Sequence, residues 1–108
     1  MTVKNLSESA GLKIVCMPDG DREVSGVYCG DLLSWVMGRA QEGHAWITIM
    51  SNINVVAVAS LSDVACVILA EDVKLDEDAL KAAADKDINV LVSEKSTYEV
   101  ALTLGKLL

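Results

Sequence analysis

Two short polar stretches interrupt an otherwise aliphatic chain at places where chemistry could be done: Ser51-Asn52-Ile53-Asn54 and Ser93-Glu94-Lys95-Ser96-Thr97. Each follows a run rich in β-branched residues and precedes a helical pattern. Free backbone N–H groups at a helix start, with hydroxyl and amide donors beside them, suit an anion. Ser51, Asn52 and Asn54 therefore make one candidate anion contact, and Ser96 and Thr97, next to Lys95, make a second. Helix capping accounts for the same residues without any ligand, because Ser and Asn at an N-cap accept from backbone N–H groups. Arg22, within Gly20-Asp21-Arg22-Glu23, is a third candidate anion contact, although a turn with a local ion pair is the plainer explanation.

Glu71 and Asp72 follow a third aliphatic run, and with Glu94 they are expected at the same rim. Three carboxylates can hold a divalent cation through oxygen, but they repel phosphate, so the metal and anion readings compete. No EF-hand spacing supports the metal; a solvated acidic edge is expected, with no metal site. His44 is the single histidine and has no nucleophile spaced to work with it. No nucleophile elbow occurs, and Gly20, Gly26 and Gly30 fit neither a dinucleotide fingerprint nor a phosphate-binding loop. No residue is assigned a catalytic role, no cofactor is expected, and the chain is read as a non-enzyme.

Cys16, Cys29 and Cys66 are odd in number and lack C-x-x-C spacing. Each lies in an apolar run and reads as a small buried hydrophobe in a reducing compartment. A net charge of −7 leaves no basic stripe for a phosphate backbone, which argues against nucleic acid and anionic membranes as partners. At 108 residues the chain supports one core. Residues 1–10 read as a flexible N-terminal extension without a secretory h-region, and 11–108 as one domain, with the cytoplasm as the expected location.

The elements that must position these residues are set by the most apolar stretch, Trp46–Asp72. Ser51, Asn52, Asn54, Ser60, Ser62 and Asp63 interrupt it too often for a membrane span of about 20 apolar residues. "WITIM" (Trp46–Met50) and "ACVILA" (Ala65–Ala70) read as buried strands. Between them, Val55, Val56 and Val58 favour a strand by propensity, while Asn52 or Ser51 offers a helix cap. The rest of the chain decides. "DEDALKAAADKD" is a helix with Asp76 as its cap, "INVLVS" (Ile88–Ser93) a strand, and "STYEVALTLGKLL" a helix opened by a Ser96-x-x-Glu99 capping box. Alternation with short connections implies parallel strands, which need a crossover, so Asn52–Ser62 is read as a helix. Upstream, "GLKIVCM" is a strand, "REVSGVYCG" an extended segment and "DLLSWVMGRAQEG" a helix stopped by Gly43. The fold class is α/β. Helix Asn52–Ser62 is apolar nearly all round, and a helix of that kind must be covered on every side. A homodimer with this helix near the interface is the expectation.

With these segments placed, the chain resembles the DRTGG domain family. The blocks "GLKIV", "DREVSGVYCGDLLSWVM", "EGHAWITIMSNINVVAVASLSDVACVILAED" and "INVLVSEKSTYEVALTLGKL" follow the family's order across residues 11–108. The resemblance implies a layered α/β/α fold with a mainly parallel sheet, similar to the N-terminal domain of HPr kinase/phosphorylase. It also implies a non-catalytic regulatory or ligand-sensing module, of a kind found beside CBS domains and as free-standing bacterial proteins. The pentad that names the family is absent: by block order "SNIN" (51–54) stands in its place, and "DREVSG" (21–26) keeps only the opening Asp-Arg. The expected function is binding of a small anionic or nucleotide ligand. The alternative is a protein–protein interaction subunit without ligand, acting through its homodimer surface.

Overall fold

The computed structural model describes Met1–Leu108. Its elements in chain order are α1 (Val3–Ser9), β1 (Lys13–Cys16), β2 (Gly26–Cys29), α2 (Leu33–Arg39), β3 (His44–Thr48), α3 (Ile53–Ser62), β4 (Cys66–Leu69), α4 (Glu77–Asp85), β5 (Val90–Val92) and α5 (Thr97–Leu107). The strands form one sheet in the order β1-β5-β4-β3-β2. Strands β2 to β5 are parallel, and β1 joins β5 antiparallel. The α/β class and the layered, mainly parallel sheet are therefore what the chain adopts.

Each step from β2 to β5 moves one place across the sheet in the same direction, so right-handed crossovers put α2, α3 and α4 on one face. Val36, Val56 and Ala83 from those helices pack with Trp46, Val67 and Val90 in one core cluster. Helix α5 leads to no further strand and covers the other face with α1. There Leu6, Val100 and Leu104 pack with Ile47, Ile68 and Leu91. The valine-rich segment is thus a helix, because burial between two neighbours outweighs the modest helix propensity of valine. Its central place also explains its composition. Helix α3 contacts both α2 and α4, and Val55, Val56, Val58 and Ala59 are buried. The covering that motivated a dimer is supplied within the chain; only Ile53, at 45% exposure, and Leu61, at 74%, remain open among its large apolar residues.

Several local expectations are revised. Residues 1–10 are no loose extension: Thr2 caps α1 through its side chain, and Val3 and Leu6 are fully buried in the core. The strand at residues 11–17 runs antiparallel to β5 within the otherwise parallel sheet, which puts "MPDGD" (17–21) at the amino ends of the parallel strands. Of the cysteines only Cys66 is buried; Cys16 is half-buried and Cys29 exposed on the edge strand. Asp76 occupies the cap position of α4 but its side chain caps nothing; it accepts instead from Ser51 Oγ at 3.3 Å. Gly43 lies beyond the end of α2, at φ +81°, where an added Cβ would stand 2.7 Å from Ser25 Oγ.

Helices α3 and α4 end in the same way. Asp63 and Asp87 take left-handed conformations at φ +53° and +59°, followed by the buried residues Val64 and Ile88. At the end of α4, Asp87 N donates to Ala84 O and Ile88 N to Ala83 O, the pattern of a Schellman motif. One residue later, Asn89 is buried and bonded through both ends of its amide. Its Nδ2 donates to Asp19 O at 2.7 Å and to Ala65 O at 2.9 Å, and its Oδ1 accepts from Asp19 N at 3.0 Å. It ties the β1–β2 connection to the starts of β4 and β5.

Asn89→Ala strands these partners, and urea unfolding should show a loss of about 2–3 kcal/mol at unchanged m-value. Asp87→Gly relieves a left-handed non-glycine residue whose side chain makes no hydrogen bond. The same measurement should show it more stable by roughly 0.5–1 kcal/mol.

Candidate functional site

The antiparallel direction of β1 has a chemical consequence. It brings Gly11, at φ +66°, and Lys13 to the carboxyl ends of the parallel strands, where Lys13 pairs with Val92. The ladder then slips between Ile14 and Cys16. A bulge turns two successive side chains to one face. Val15 accordingly faces the α4 side together with Lys13 and Val92, while Cys16 packs into the core on that same side.

Beyond β4 the chain turns through Ala70-Glu71-Asp72-Val73, with Glu71 and Asp72 both left-handed, at φ +61° and +60°. Val73 N closes the turn on Ala70 O at 3.3 Å. Two successive positive-φ residues without glycine are disfavoured by roughly 1–2 kcal/mol apiece, so the surroundings must hold them. They do. Glu71 N donates to Lys95 O at 2.8 Å and Asp72 N to Ser93 O at 3.0 Å, extending the β4–β5 pairing past the last ladder residues. Glu71 Oε2 accepts from Thr97 N at 3.0 Å, and Ser93 Oγ accepts from Lys95 N at 3.1 Å. The two loops are stapled into one corner.

Between that corner and β1 lies a cavity of about 450 Å³. Val15, Val73, Leu75 and Val92 supply apolar wall, and Lys13, Lys74 and Lys95 come from three different segments. Asp72 and Glu94 share the lining. None of the three lysines has an ion-pair partner; the salt bridges of the molecule are Met1–Glu23 and Arg22–Asp63. Three ammonium groups against two carboxylates leave this mouth net positive on a chain of net charge −7.

The residues expected to bind an anion are distributed otherwise. Arg22 lies at the opposite end of the sheet, where it donates to Asp63 Oδ1 at 3.0 Å and Asp63 O at 2.8 Å. Asn52 caps α3, its Oδ1 accepting from Asn54 N at 2.9 Å, and Asn54 is exposed. Ser51 is bonded to Asp76 through both its hydroxyl and its carbonyl. Ser96 caps α5, accepting from Glu99 N at 3.2 Å. At Thr97 the anion beside the helix start is the chain's own Glu71. Ser51–Asn54 and Ser96–Thr97 lie at the same end of the sheet but open helices on opposite faces. Of the expected acidic edge, Glu71 serves α5 while Asp72 and Glu94 reach the cavity, and no three acidic, histidine or cysteine side chains converge. Sequence reasoning placed Lys95 beside a site but missed Lys13 and Lys74. Lysine is common on surfaces, and only the antiparallel docking of β1 gives Lys13 meaning.

The remaining reactive groups are held quiet. Burial pushes the Cys66 thiol up to about 12. Cys16 and Cys29 are also raised, first by burial and then by the nearby carboxylates of Asp87 and Asp31. A raised thiol pKa means less thiolate at neutral pH, so none of the three is an activated nucleophile. His44 Nδ1 accepts from Gln41 N at 3.1 Å, a main-chain brace. No helix is long and apolar enough to cross a membrane.

The fold is similar to a solved structure, the CBS and DRTGG domains of the regulatory region of a Clostridium perfringens pyrophosphatase complexed with its activator, diadenosine tetraphosphate. The superposition has a TM-score of 0.75 at 11% sequence identity and covers 95% of this chain. This chain spans 45% of that structure's length. Among curated proteins, none matches the sequence. The family model of the DRTGG domain matches residues 5–107, from within α1 to the end of α5. The chain belongs to the DRTGG domain family.

Proposed function

We propose that this domain is a non-catalytic regulatory module of the bacterial cytoplasm that binds a small anionic ligand of nucleotide type in the lysine-rimmed cavity. The carrying observation is the convergence of Lys13, Lys74 and Lys95, all without ion-pair partners, on a partly apolar cavity of about 450 Å³. Unpaired like charges gathered on a net-acidic protein repel one another, and an anion relieves that repulsion. The apolar walls suit the uncharged part of such a ligand. A regulatory region that carries a DRTGG domain and is complexed with a dinucleotide activator supports the same reading. The quiet thiols and the braced histidine support a module that binds without reacting.

Millimolar ADP should raise the melting temperature, since a ligand that binds only the folded state stabilises it. Lys13→Ala, Lys74→Ala and Lys95→Ala should each weaken binding by roughly two- to fivefold, as expected for exposed charge pairs. Lys81→Ala, on α4 and outside the cavity, should not. Equal binding by all four variants would place the ligand elsewhere.

A second reading, a homodimer formed near α3, is favoured by one observation. Ile53 and Leu61 of α3 and Trp35 and Met37 of its neighbour α2 are all exposed. Sedimentation should then give a dimer at tens of micromolar, and Leu61→Glu should return it to monomer. A monomer for the unaltered chain removes this reading.

A further inference from the structure

Resting on the reading of the cavity as a nucleotide site, we infer that it selects ligands by phosphate count and only weakly by base. The charge side of the site is built from lysines alone; no arginine lines it. Arginine recognises one phosphate through a rigid bidentate fork, whereas lysine is a point charge on a flexible stem. Lys13 stands on β1, Lys74 on the β4–α4 loop and Lys95 on the β5–α5 loop, so the three charges are carried on three separate segments. Such a set does not fix the geometry of a single phosphoryl group. It responds to total negative charge, and each added phosphate gains from all three.

The lining offers no stacking platform and no buried group to read a base. The apolar walls are Val15, Val73, Leu75 and Val92, with no aromatic ring to stack on and no side-chain amide. The one neutral hydroxyl, on Ser93, accepts from Lys95 N, which fixes its oxygen against the loop and leaves a single O–H donor. Strong discrimination between similar ligands comes from buried polar groups that a wrong ligand leaves unpaired. Asp72 and Glu94 are exposed and Ser93 is half-buried, so water satisfies them when a base does not, and they discriminate weakly. As ionised carboxylates, Asp72 and Glu94 only accept hydrogen bonds. They repel a bare anion and favour one that brings donors, which the ribose hydroxyls of a nucleotide supply. The preferred class is therefore a nucleoside polyphosphate over both a nucleoside monophosphate and an inorganic polyphosphate.

Calorimetric titration of the full chain with magnesium-free AMP, ADP, ATP, GTP, UTP and tripolyphosphate tests this. Each added phosphate should tighten binding roughly two- to fivefold, a dependence that flattens near 1 M salt, where the screening length is about 3 Å. ATP, GTP and UTP should agree within about threefold, well short of the tenfold that 1.4 kcal/mol of base readout would give. Tripolyphosphate should bind more weakly than ATP. In Lys74→Ala the gain from AMP to ATP should shrink, and in Lys81→Ala it should persist. AMP binding as tightly as ATP, one base preferred tenfold or more, or tripolyphosphate equalling ATP overturns the inference while leaving a ligand site in place. Silence from every compound removes the site and the inference together.

Discussion

The segment Val64–Ala70 is buried at every residue, and the rest of the molecule is arranged around that burial. Strand β4 is hydrogen-bonded to β3 on one side and β5 on the other, so its backbone polar groups are paired within the sheet. Its side chains alternate between the two core clusters: Cys66 and Ile68 toward α1 and α5, Val67 and Leu69 toward α2, α3 and α4. A strand covered on both faces needs helices above and below, and parallel neighbours need crossovers long enough to contain them. Three helices on one face follow from three like-handed crossovers. The middle one is closed in by its neighbours, which is why four apolar residues of α3 are buried on what a lone amphipathic helix would leave half open.

The cavity exists because this regular arrangement stops at one edge. Strand β5 has no parallel partner beyond it; β1 docks there in the opposite sense and carries a bulge. The start of β1 thereby meets the ends of β4 and β5, where the loops are stapled through Glu71, Asp72, Ser93 and Lys95. A non-glycine pair in left-handed backbone is found where surrounding contacts over-determine it. Here those contacts fix the main chain on both sides of Lys95, while the lysine side chains make no ion pair. Under the proposed reading, a held backbone that carries unpaired lysines suits graded electrostatic recognition better than rigid shape recognition.

The same corner shows how the acidic balance of the chain is spent locally. Glu71 neutralises the start of α5, a role that a ligand's phosphate would otherwise compete for, and Arg22 is paired with Asp63 at the far end of the sheet. Neither Glu71 nor Arg22 is therefore available to the cavity, whose cations are Lys13, Lys74 and Lys95. Cys16 and Cys66 are, in different degrees, part of the apolar packing, and Cys29 sits beside Asp31, whose carboxylate holds Thr48 and Ile49 and works against a thiolate. All three thiols are thus held away from the thiolate form, and the lysine-rimmed cavity is the positive concavity at this edge of the sheet.

Much of this was legible in the residues. Buried β-branched runs, the caps at Asn52 and Ser96 and the alternation of strand with helix are short-range signals, and they located nine elements and the layered class. The helix at α3 needed one further step, because its valines favour a strand and only the demand for a crossover reversed that preference. Element α1 was missed: seven residues with a Thr cap carry too little periodicity to stand out, and burial of Val3 and Leu6 supplies what propensity lacks. Local patterns in the chain thus set which segments are strands and helices and that they layer, since those depend on neighbours a few residues apart. The tertiary structure alone decided that β1 runs backwards along β5, through pairs such as Lys13 with Val92. That contact spans most of the chain and leaves no local signature, and the cavity with its three lysines depends on it.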